Sequence, residues 1–286
     1  MWYNTINMDL TSVKTIKEFL SQHGARASKG LGQNFLIDKN ALEKIITTAD
    51  LKPSDNVLEI GPGIGTLTQE LAKNVKKVIA VEKDRKMCEI LQETLENYKN
   101  VEVSNKDILK ANFQSLKDYK IVANLPYYIT SPVIRKFLER PEGYPNQPEL
   151  MVLMVQKEVG QRICAKPPNM SLLAVSVQFY ADPKIISYVS KNCFWPSRKV
   201  DSAIIKITPR GQTSRQAGGQ TSPDLFFRVV KAGFSQPRKQ LSNNLSKILK
   251  MDRKKVNEWL SRNNIGSSQR AETLSIENWK NLTNSI

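Results

Sequence analysis

The sequence predicts an α/β protein in which a mostly parallel sheet with an antiparallel edge is followed by a small all-α domain. Three observations support this fold class. Short β-branched runs alternate with stretches of helical period, a glycine-rich turn follows one buried run, and a polar segment separates these elements from a helical C-terminal part. Strands that alternate with helices are typical of βαβ units on a parallel sheet.

Five apolar runs are the predicted parallel strands, and apolar residues with helical spacing lie between them. The runs are residues 57–60, 78–82, 101–103, 121–124 and 150–156, and the helical stretches are 67–72, 87–98 and 133–139. Two later runs, 185–189 and 203–207, are joined by a short, turn-rich segment. This arrangement predicts antiparallel strands at one edge of the sheet.

The chain of 286 residues is long enough for two domains. The polar, glycine-containing segment 209–223 is predicted to be a linker. Four helical stretches follow it, at 225–234, 241–249, 256–263 and 276–282, with Asp252 and Ser275 as N-cap signals. We therefore expect an N-terminal extension at 1–26 with a helix at 13–19, an α/β domain at 27–208 and a small helical domain at 224–286.

The charge of the chain favours a polyanionic partner. Forty-three Lys and Arg residues outnumber 27 Asp and Glu residues, so the formal net charge is +16. Such an excess favours nucleic acid as the partner. No apolar run approaches the roughly 20 residues of a membrane span, and residues 1–7 lack the pattern of a secretory signal. A cytoplasmic location is therefore expected.

Cysteine and histidine are too sparse for several classes of site. Cys88, Cys164 and Cys193 are far apart and lack C-x-x-C spacing, so neither disulfides nor zinc binding are expected. His23 is the only histidine, which argues against a histidine-based triad or metal site. The predicted chemistry therefore depends on amides, carboxylates and aromatic rings.

A G-x-G-x-G turn formed by Gly61, Gly63 and Gly65 follows the strand at 57–60. Glycine lets a backbone approach a ligand that any Cβ would block. The spacing differs from the G-x-G-x-x-G of dinucleotide folds and favours a cofactor with an amino-acid tail. Glu82 ends the next strand and is placed to accept ribose hydroxyls, and Asp107 is placed to accept an adenine amino group. Alternatively, the glycines form a purely structural turn, Glu82 is a solvated charge at a strand end, and Asp107 is a helix N-cap.

The segment Asn124-Leu125-Pro126-Tyr127 ends the fourth strand. If the Asn124 amide oxygen and the Leu125 carbonyl accept both hydrogens of a base amine, the nitrogen lone pair is directed at an electrophile. Pro126 would fix the turn, and Tyr127 would stack on the base. The motifs together predict methyl transfer from S-adenosylmethionine to a base amine, without a covalent intermediate or a strong base.

Other segments suggest contacts with RNA and a lid. Basic pairs recur along the chain, and Arg198, Lys199, Arg238 and Lys239 are predicted to contact RNA phosphates. Phe194 lies close to such a pair, which suits an unstacked base, although a core aromatic residue is the equal alternative. The glycine-rich segment 29–36 is interpreted as a lid over the cofactor or as a plain loop.

From about Ala27 to the C-terminus, the chain resembles the ribosomal RNA adenine N6-dimethyltransferases of the KsgA group. Residues 29–36 resemble the lid of that family, 59–65 its cofactor loop, 124–127 its catalytic turn, 194–202 its Phe-x-Pro-x-Pro-x-Val-Asp-Ser segment and 234–241 the start of its RNA-binding domain. The resemblance implies a Rossmann-like class I S-adenosylmethionine-dependent methyltransferase fold. It also implies dimethylation of two adjacent adenosines in the 3′-terminal hairpin of 16S ribosomal RNA during small-subunit biogenesis. A monomer is the default expectation, and no metal is expected from the cysteine and histidine content.

The resemblance also implies roles for individual residues. The implied cofactor contacts are Asn34, Leu36, Gly61, Gly63, Glu82, Lys83, Asp107, Ile108 and Asn124. Tyr127 and Phe194 are implied to stack on the target base. The chain departs from the family at Arg198, where a proline is usual, at Lys106, where a glycine is usual, and at Pro237, where a basic residue is common. The departures at Arg198 and Pro237 concern RNA docking.

Two alternative functions remain open from the sequence. An erythromycin-resistance type methylase shares the fold but modifies 23S RNA. A factor that acts in small-subunit assembly mainly by binding would share the basic charge. Leu125 argues against glutamine methylases and DNA adenine methylases, which typically have proline at that position.

Overall fold

The computed structural model describes residues 8–28, 30–113, 115–139, 146–210 and 222–286. These residues form two compact units, which are treated separately. The first unit contains the described residues up to Gly160 together with Lys184–Pro209, and the second contains Gln161–Pro183 and the described residues from Arg210 onward. The predicted domain 27–208 differs from this division in segment 161–183, and most of the predicted linker lies outside the described residues.

The first unit is built on a seven-stranded sheet with the predicted fold class. Its strands are β2 (Asn56–Ile60), β3 (Lys77–Glu82), β4 (Val101–Asn105), β5 (Tyr119–Asn124), β6 (Leu150–Gln156), β7 (Ala181–Val189) and β9 (Ser202–Pro209). The order is β4-β3-β2-β5-β6-β9-β7. Strands β4, β3, β2, β5 and β6 are parallel, and β9 is antiparallel to β6. The predicted parallel sheet with an antiparallel edge is confirmed.

A separate antiparallel pair joins β1 (Phe35–Leu36) to β8 (Phe194–Trp195), with Phe35 opposite Trp195 and Leu36 opposite Phe194. The helices of this part of the chain are α1 (Val13–Gln22), α2 (Lys39–Ala49), α3 (Thr66–Ala72), α4 (Arg85–Thr94), α5 (Thr130–Leu138) and α6 (Lys157–Ile163). The sequence predicted α1, α3, α4 and α5 but not α2, α6 or the short pair.

The central strands are apolar because both of their faces are buried. Every residue of β5 before Asn124 is buried, and so is every residue of β6 before Gln156. On one face, Val57 and Val122 pack in a cluster with Leu42 of α2. Continuous apolar runs of this kind are typical of parallel strands covered by helices on both sides.

The strand order creates a switch point between β2 and β5. From β2 the chain proceeds to β3 and β4 on one side, and then crosses to β5 on the other side. In open α/β sheets, ligands bind at the carboxyl ends of the strands at such a point. The glycine turn follows β2, and the Asn-Leu-Pro-Tyr segment begins at the end of β5, so both motifs lie at this edge.

The N-terminal helix α1 is part of the first unit. Ile16 and Phe19 pack in a buried cluster with Met87 and Ile90 of α4. Ser12 caps the helix by accepting a hydrogen bond from the backbone N–H of Thr15. The described residues of the predicted extension therefore contribute to the core of the first unit.

The second unit is helical. Its further helices are α7 (Leu172–Tyr180), α8 (Pro223–Gly233), α9 (Leu241–Leu249), α10 (Arg253–Arg262) and α11 (Ile276–Asn284). Ala174 of α7 packs in one core with Phe226, Leu245 and Trp279, which explains why segment 161–183 groups with the C-terminal helices. Among the described residues, no helix has both the length and the apolar character that a membrane span requires.

Both predicted N-caps of the second unit are confirmed. The Asp252 carboxylate accepts hydrogen bonds from the backbone N–H groups of Lys254 and Lys255 at the start of α10. Ser275 and Asn278 form a capping box at the start of α11. These caps satisfy backbone N–H groups that have no partner within the helix.

Gly233→Ala is expected to destabilise the second unit. A Cβ at this position would overlap the Trp279 ring and would lie 2.9 Å from Leu241 Cδ1. Overpacking of a filled core costs about 1–3 kcal/mol. Chemical denaturation of the whole protein, followed by tryptophan fluorescence, measures the effect. Gly266→Ala is the control because its Cβ would meet only the Gln269 side chain, at 3.6 Å or more; equal midpoints for the two variants would contradict the expectation.

Candidate active site

One pocket at the carboxyl ends of the parallel strands collects every predicted cofactor contact. Its lining includes Asn34, Leu36, Gly61, Gly63, Glu82, Lys83, Asp107, Ile108 and Asn124. It also includes Gln33, Glu59 and Tyr128, for which no individual binding role is predicted from the sequence. The structure thus brings together residues that are up to 90 positions apart, as the Asn34 and Asn124 pair illustrates.

The glycine turn forms a floor of the pocket, which Gly61 and Gly63 line with their backbone. Gly61, Gly63 and Gly65 have φ angles of 68°, 62° and 94°, a region that favours glycine. A Cβ on Gly63 would lie 3.1 Å from Phe35 Cε1. Glycine is therefore required here both by the backbone conformation and by the space that the aromatic ring of β1 occupies.

Glu82 is held in place by the backbone at the end of β3. Its carboxylate accepts hydrogen bonds from the N–H groups of Gly63 at 3.2 Å, Lys83 at 2.8 Å and Asp84 at 2.8 Å. Burial raises the pKa of the Glu82 carboxyl, and the backbone N–H groups act in the opposite direction. The side chain is a fixed acceptor that lines the pocket.

Asp107 follows β4 and pairs with Lys83. Lys83 Nζ lies 3.0 Å from Asp107 Oδ2, and the Leu109 N–H donates to Asp107 Oδ1 at 3.0 Å. The hydrogen bond from Lys83, together with that from Leu109, lowers the pKa of Asp107. The carboxylate is therefore a charged acceptor at the outer part of the pocket.

Glu59 is a buried carboxyl group within the glycine motif. It is 1% exposed, and burial raises its pKa to about 8. Its Oε2 atom has no hydrogen-bond partner among the described residues. The sequence signal was a lone acidic residue within the apolar strand that precedes the turn. At neutral pH this group is mostly protonated.

Glu59→Gln is expected to flatten the dependence of stability on pH. The pKa of Glu59 is raised in the folded state, so its contribution to stability is complete below about pH 4.5 and is lost as pH rises to about 8. The amide does not titrate, so the variant should gain more than about 1 kcal/mol over the wild type between these limits. Urea unfolding at both pH values measures this gain. Glu96→Gln, which changes an exposed carboxyl group, is the control. The expectation is wrong if the free energy of unfolding depends on pH in the same way in both variants.

The segment at residues 30–36 lies along the pocket. The Gln33 backbone N–H donates to Ser28 O, and its side-chain Nε2 donates to Asp84 Oδ2 at 2.8 Å. A Cβ on Gly32 would lie 3.4 Å from Pro126 Cβ. The described part of the predicted lid therefore contacts the catalytic turn closely.

The Asn-Leu-Pro-Tyr segment presents Asn124 to the pocket. Asn124 Nδ2 donates to Asn34 O at 3.4 Å, and its Oδ1 accepts a hydrogen bond from Arg198 Nη2 at 2.7 Å. The Leu125 side chain is fully buried. Pro126 lies next to Gly61, whose Cβ would be 3.5 Å from the proline Cδ. The turn is thereby fixed against the glycine floor.

The two rings predicted to stack on the target base share one neighbour. Arg198 Cζ lies 4.3 Å from the centroid of the Tyr127 ring and 3.9 Å from that of Phe194. The Tyr127 hydroxyl is 2.7 Å from Ser202 Oγ, and Arg198 Nη1 donates to the same oxygen at 3.2 Å. The structure therefore places both rings beside the pocket, with the guanidinium of Arg198 over them.

The residues predicted to contact RNA phosphates differ in exposure. Arg198 is 6% exposed, whereas Lys199 is exposed. Arg238 and Lys239 of the second unit are also exposed. The Arg198 guanidinium thus contacts the Tyr127 and Phe194 rings and donates a hydrogen bond to Asn124. All three cysteines are free, and within the described ranges no cluster of His, Cys, Asp and Glu could hold a metal ion.

The fold and this site define a class I methyltransferase. A dimethyladenosine transferase from Plasmodium falciparum superposes with a TM-score of 0.72 at 29% identity, over 87% of this chain and 95% of that one. The 23S rRNA methyltransferase ErmE superposes with a TM-score of 0.70 at 27% identity, over 88% of this chain and 99% of that one.

The family follows from the sequence profile of the ribosomal RNA adenine dimethylases, which matches residues 24–286. The chain belongs to this family, and it is an rRNA adenine dimethyltransferase. A ribosomal RNA small subunit methyltransferase A from Dehalococcoides mccartyi is 45% identical over 93% of this chain and 90% of its own length. The protein of the same name from Clostridioides difficile is 42% identical over 97% of this chain and 96% of its own length.

Proposed function

We propose that this protein uses S-adenosylmethionine to dimethylate N6 of two adjacent adenosines in the 3′-terminal hairpin of 16S ribosomal RNA during small-subunit biogenesis. The observation that carries the proposal is the meeting of the glycine floor and the Asn-Leu-Pro-Tyr turn in one pocket at the switch point. We further propose that the enzyme acts as a monomer in the cytoplasm.

The pocket suits S-adenosylmethionine. Gly61 and Gly63 of the glycine floor line it with backbone, and Glu82 is a fixed acceptor of the kind that ribose hydroxyls require. Asp107 would accept the adenine amino group, and Asn34, Leu36, Lys83 and Ile108 would complete the lining. When bound, the cofactor supplies an electrophilic methyl group.

The residues of the catalytic turn would prepare the target amine. The Asn124 Oδ1 atom and the Leu125 carbonyl would accept the two N–H groups of the adenine, which directs the nitrogen lone pair at the methyl group. Fixed acceptors of this kind act mainly by orientation and electrostatics. Tyr127 and Phe194 would hold the plane of the base.

The chain does not need to supply a strong base. A methylated adenine amine loses its proton readily to water once the positive charge has formed. Asp107 is engaged by Lys83, and Glu82 by backbone N–H groups. These carboxylates therefore have a binding role in the proposal and not a proton-accepting one.

The basic surface would bind the RNA backbone. The formal net charge is +16, and Lys199, Arg238 and Lys239 are exposed. Each phosphate contact releases counterions, so RNA affinity should fall steeply as salt concentration rises. The proposed partner is 16S RNA within the small subunit or its precursor.

Mass spectrometry of ribosomal RNA from cells with and without this gene tests the proposal. We expect dimethyladenosine in the 3′-terminal hairpin of 16S RNA only when the gene is present. Methylation of 23S RNA instead would support the erythromycin-resistance type alternative, which has some basis in the similarity to ErmE. Normal subunit assembly with an inactive enzyme would favour the binding-factor alternative.

A further inference from the structure

The place proposed for the target base already contains a side chain. The Arg198 guanidinium lies over the Tyr127 and Phe194 rings, at 4.3 Å and 3.9 Å between its Cζ atom and the ring centroids. A planar cation over an aromatic face is attracted to the ring quadrupole. The guanidinium therefore uses the two surfaces on which the adenine would stack.

The same guanidinium also uses the acceptor proposed for the target amine. Arg198 Nη2 donates to Asn124 Oδ1 at 2.7 Å, and Nη1 donates to Ser202 Oγ at 3.2 Å. A planar group that donates an N–H to Asn124 while it lies over these rings resembles the amine edge of adenine. A base that approached Asn124 Oδ1 across the same ring faces would have to displace the guanidinium.

The Arg198 guanidinium is buried among aromatic rings and neutral hydrogen-bond acceptors. No carboxylate of the described residues forms an ion pair with it, and its Nε atom has no hydrogen-bond partner there. Burial lowers the pKa of the guanidinium. A buried charge without a paired countercharge carries a desolvation cost, and that cost is relieved when the group moves into solvent.

We propose that Arg198 is a gate on the target-base slot: it occupies the slot in the RNA-free enzyme and leaves when a base enters. This inference rests on the proposed function. Arg198 thereby sets specificity. A free base must displace the guanidinium with its own contacts alone. An RNA substrate also supplies phosphates, and the released positive charge is favourable next to them. The gate is particular to this chain, because the family that it resembles usually has a proline at this position.

The affinity for adenosine, a probe without phosphates, isolates the cost of displacement. It is measured by titration calorimetry on the full chain, with saturating S-adenosylhomocysteine to fill the cofactor pocket. Arg198→Ala is expected to bind adenosine at least tenfold more tightly than the wild type. Lys191→Ala, which removes an exposed positive charge from the same loop, is expected to bind it as the wild type does. A merely structural role for Arg198 would weaken binding.

Arg198→Pro is the second variant, in case the alanine variant folds poorly, because proline is the residue usual in the family. Steady-state transfer to a 16S RNA fragment accompanies the binding measurement. Because RNA phosphates compensate the displaced charge in the wild type, the gate predicts that the KM for this RNA changes much less than the adenosine affinity in each variant. If the Arg198 variants bind adenosine with the affinity of the wild type, and the wild type methylates 16S RNA, the gate is wrong while the proposed function stands. A wild type that transfers no methyl group to this RNA would overturn the proposed function and the gate with it.

Discussion

Asn124→Ala is expected to abolish methyl transfer while RNA affinity stays within a few-fold of the wild type. Asn124 would supply one of the two acceptors that orient the amine, and the loss of one preorganised group costs roughly 10²–10³ in rate. RNA affinity is retained because it depends mainly on phosphate contacts. Single-turnover transfer of a radiolabelled methyl group and filter binding of a 16S RNA fragment measure the two quantities.

Asn74→Ala is the control for this prediction. Asn74 is exposed and only caps its own helix end by donating to Glu70 O, so transfer should be unchanged. The loss of the Asn124 amide also removes an acceptor from Arg198, which would loosen the gate and not tighten it. Transfer by Asn124→Ala at near the wild-type rate would refute the proposed orientation of the amine.

Glu82→Ala is expected to weaken cofactor binding by one to two orders of magnitude. One hydrogen bond to a charged group contributes about 1.5–3 kcal/mol, and the loss of this carboxylate would remove at least one such bond proposed to the ribose. It also removes the acceptor that fixes the Gly63 N–H in the floor. Titration calorimetry with S-adenosylhomocysteine measures the affinity.

Two further variants separate the causes. Glu82→Gln keeps the shape of the side chain but retains only one oxygen acceptor, so its affinity should lie between those of the wild type and Glu82→Ala. Glu102→Ala removes an exposed carboxylate from β4, away from the pocket lining, and should bind the cofactor normally. Unchanged affinity in Glu82→Ala would remove this residue from the cofactor site.

The central strands β5 and β6 of the first unit were predictable because burial on both faces demands continuous apolar runs. Helix α2 was missed although Asp38 caps it by accepting a hydrogen bond from the Ala41 N–H, and although Leu42 and Ile45 have helical spacing. The pair of β1 and β8 was not predictable, since strands of two residues have no measurable period. Segment 161–183 joins the second unit through tertiary packing that no local pattern reveals.

The composition of the pocket was more predictable than its interior contacts. Most of the predicted cofactor residues follow the ends of adjacent parallel strands, so they meet at one edge of the sheet. Their positions after successive apolar runs are visible in the sequence. The hydrogen bond between Arg198 and Asn124 joins residues 74 positions apart and has no such pattern behind it. The raised pKa of Glu59 likewise arises from burial, which exists only after the chain has folded.

The short ladder between β1 and β8 links the two ligand sites. Leu36 lines the cofactor pocket, and it lies opposite Phe194, which carries the Arg198 guanidinium on its ring. A shift of one strand is therefore transmitted to the other through their backbone pairing. If the proposed cofactor moves β1 when it binds, cofactor and RNA would bind with thermodynamic coupling, and each would alter the affinity of the other by the same factor.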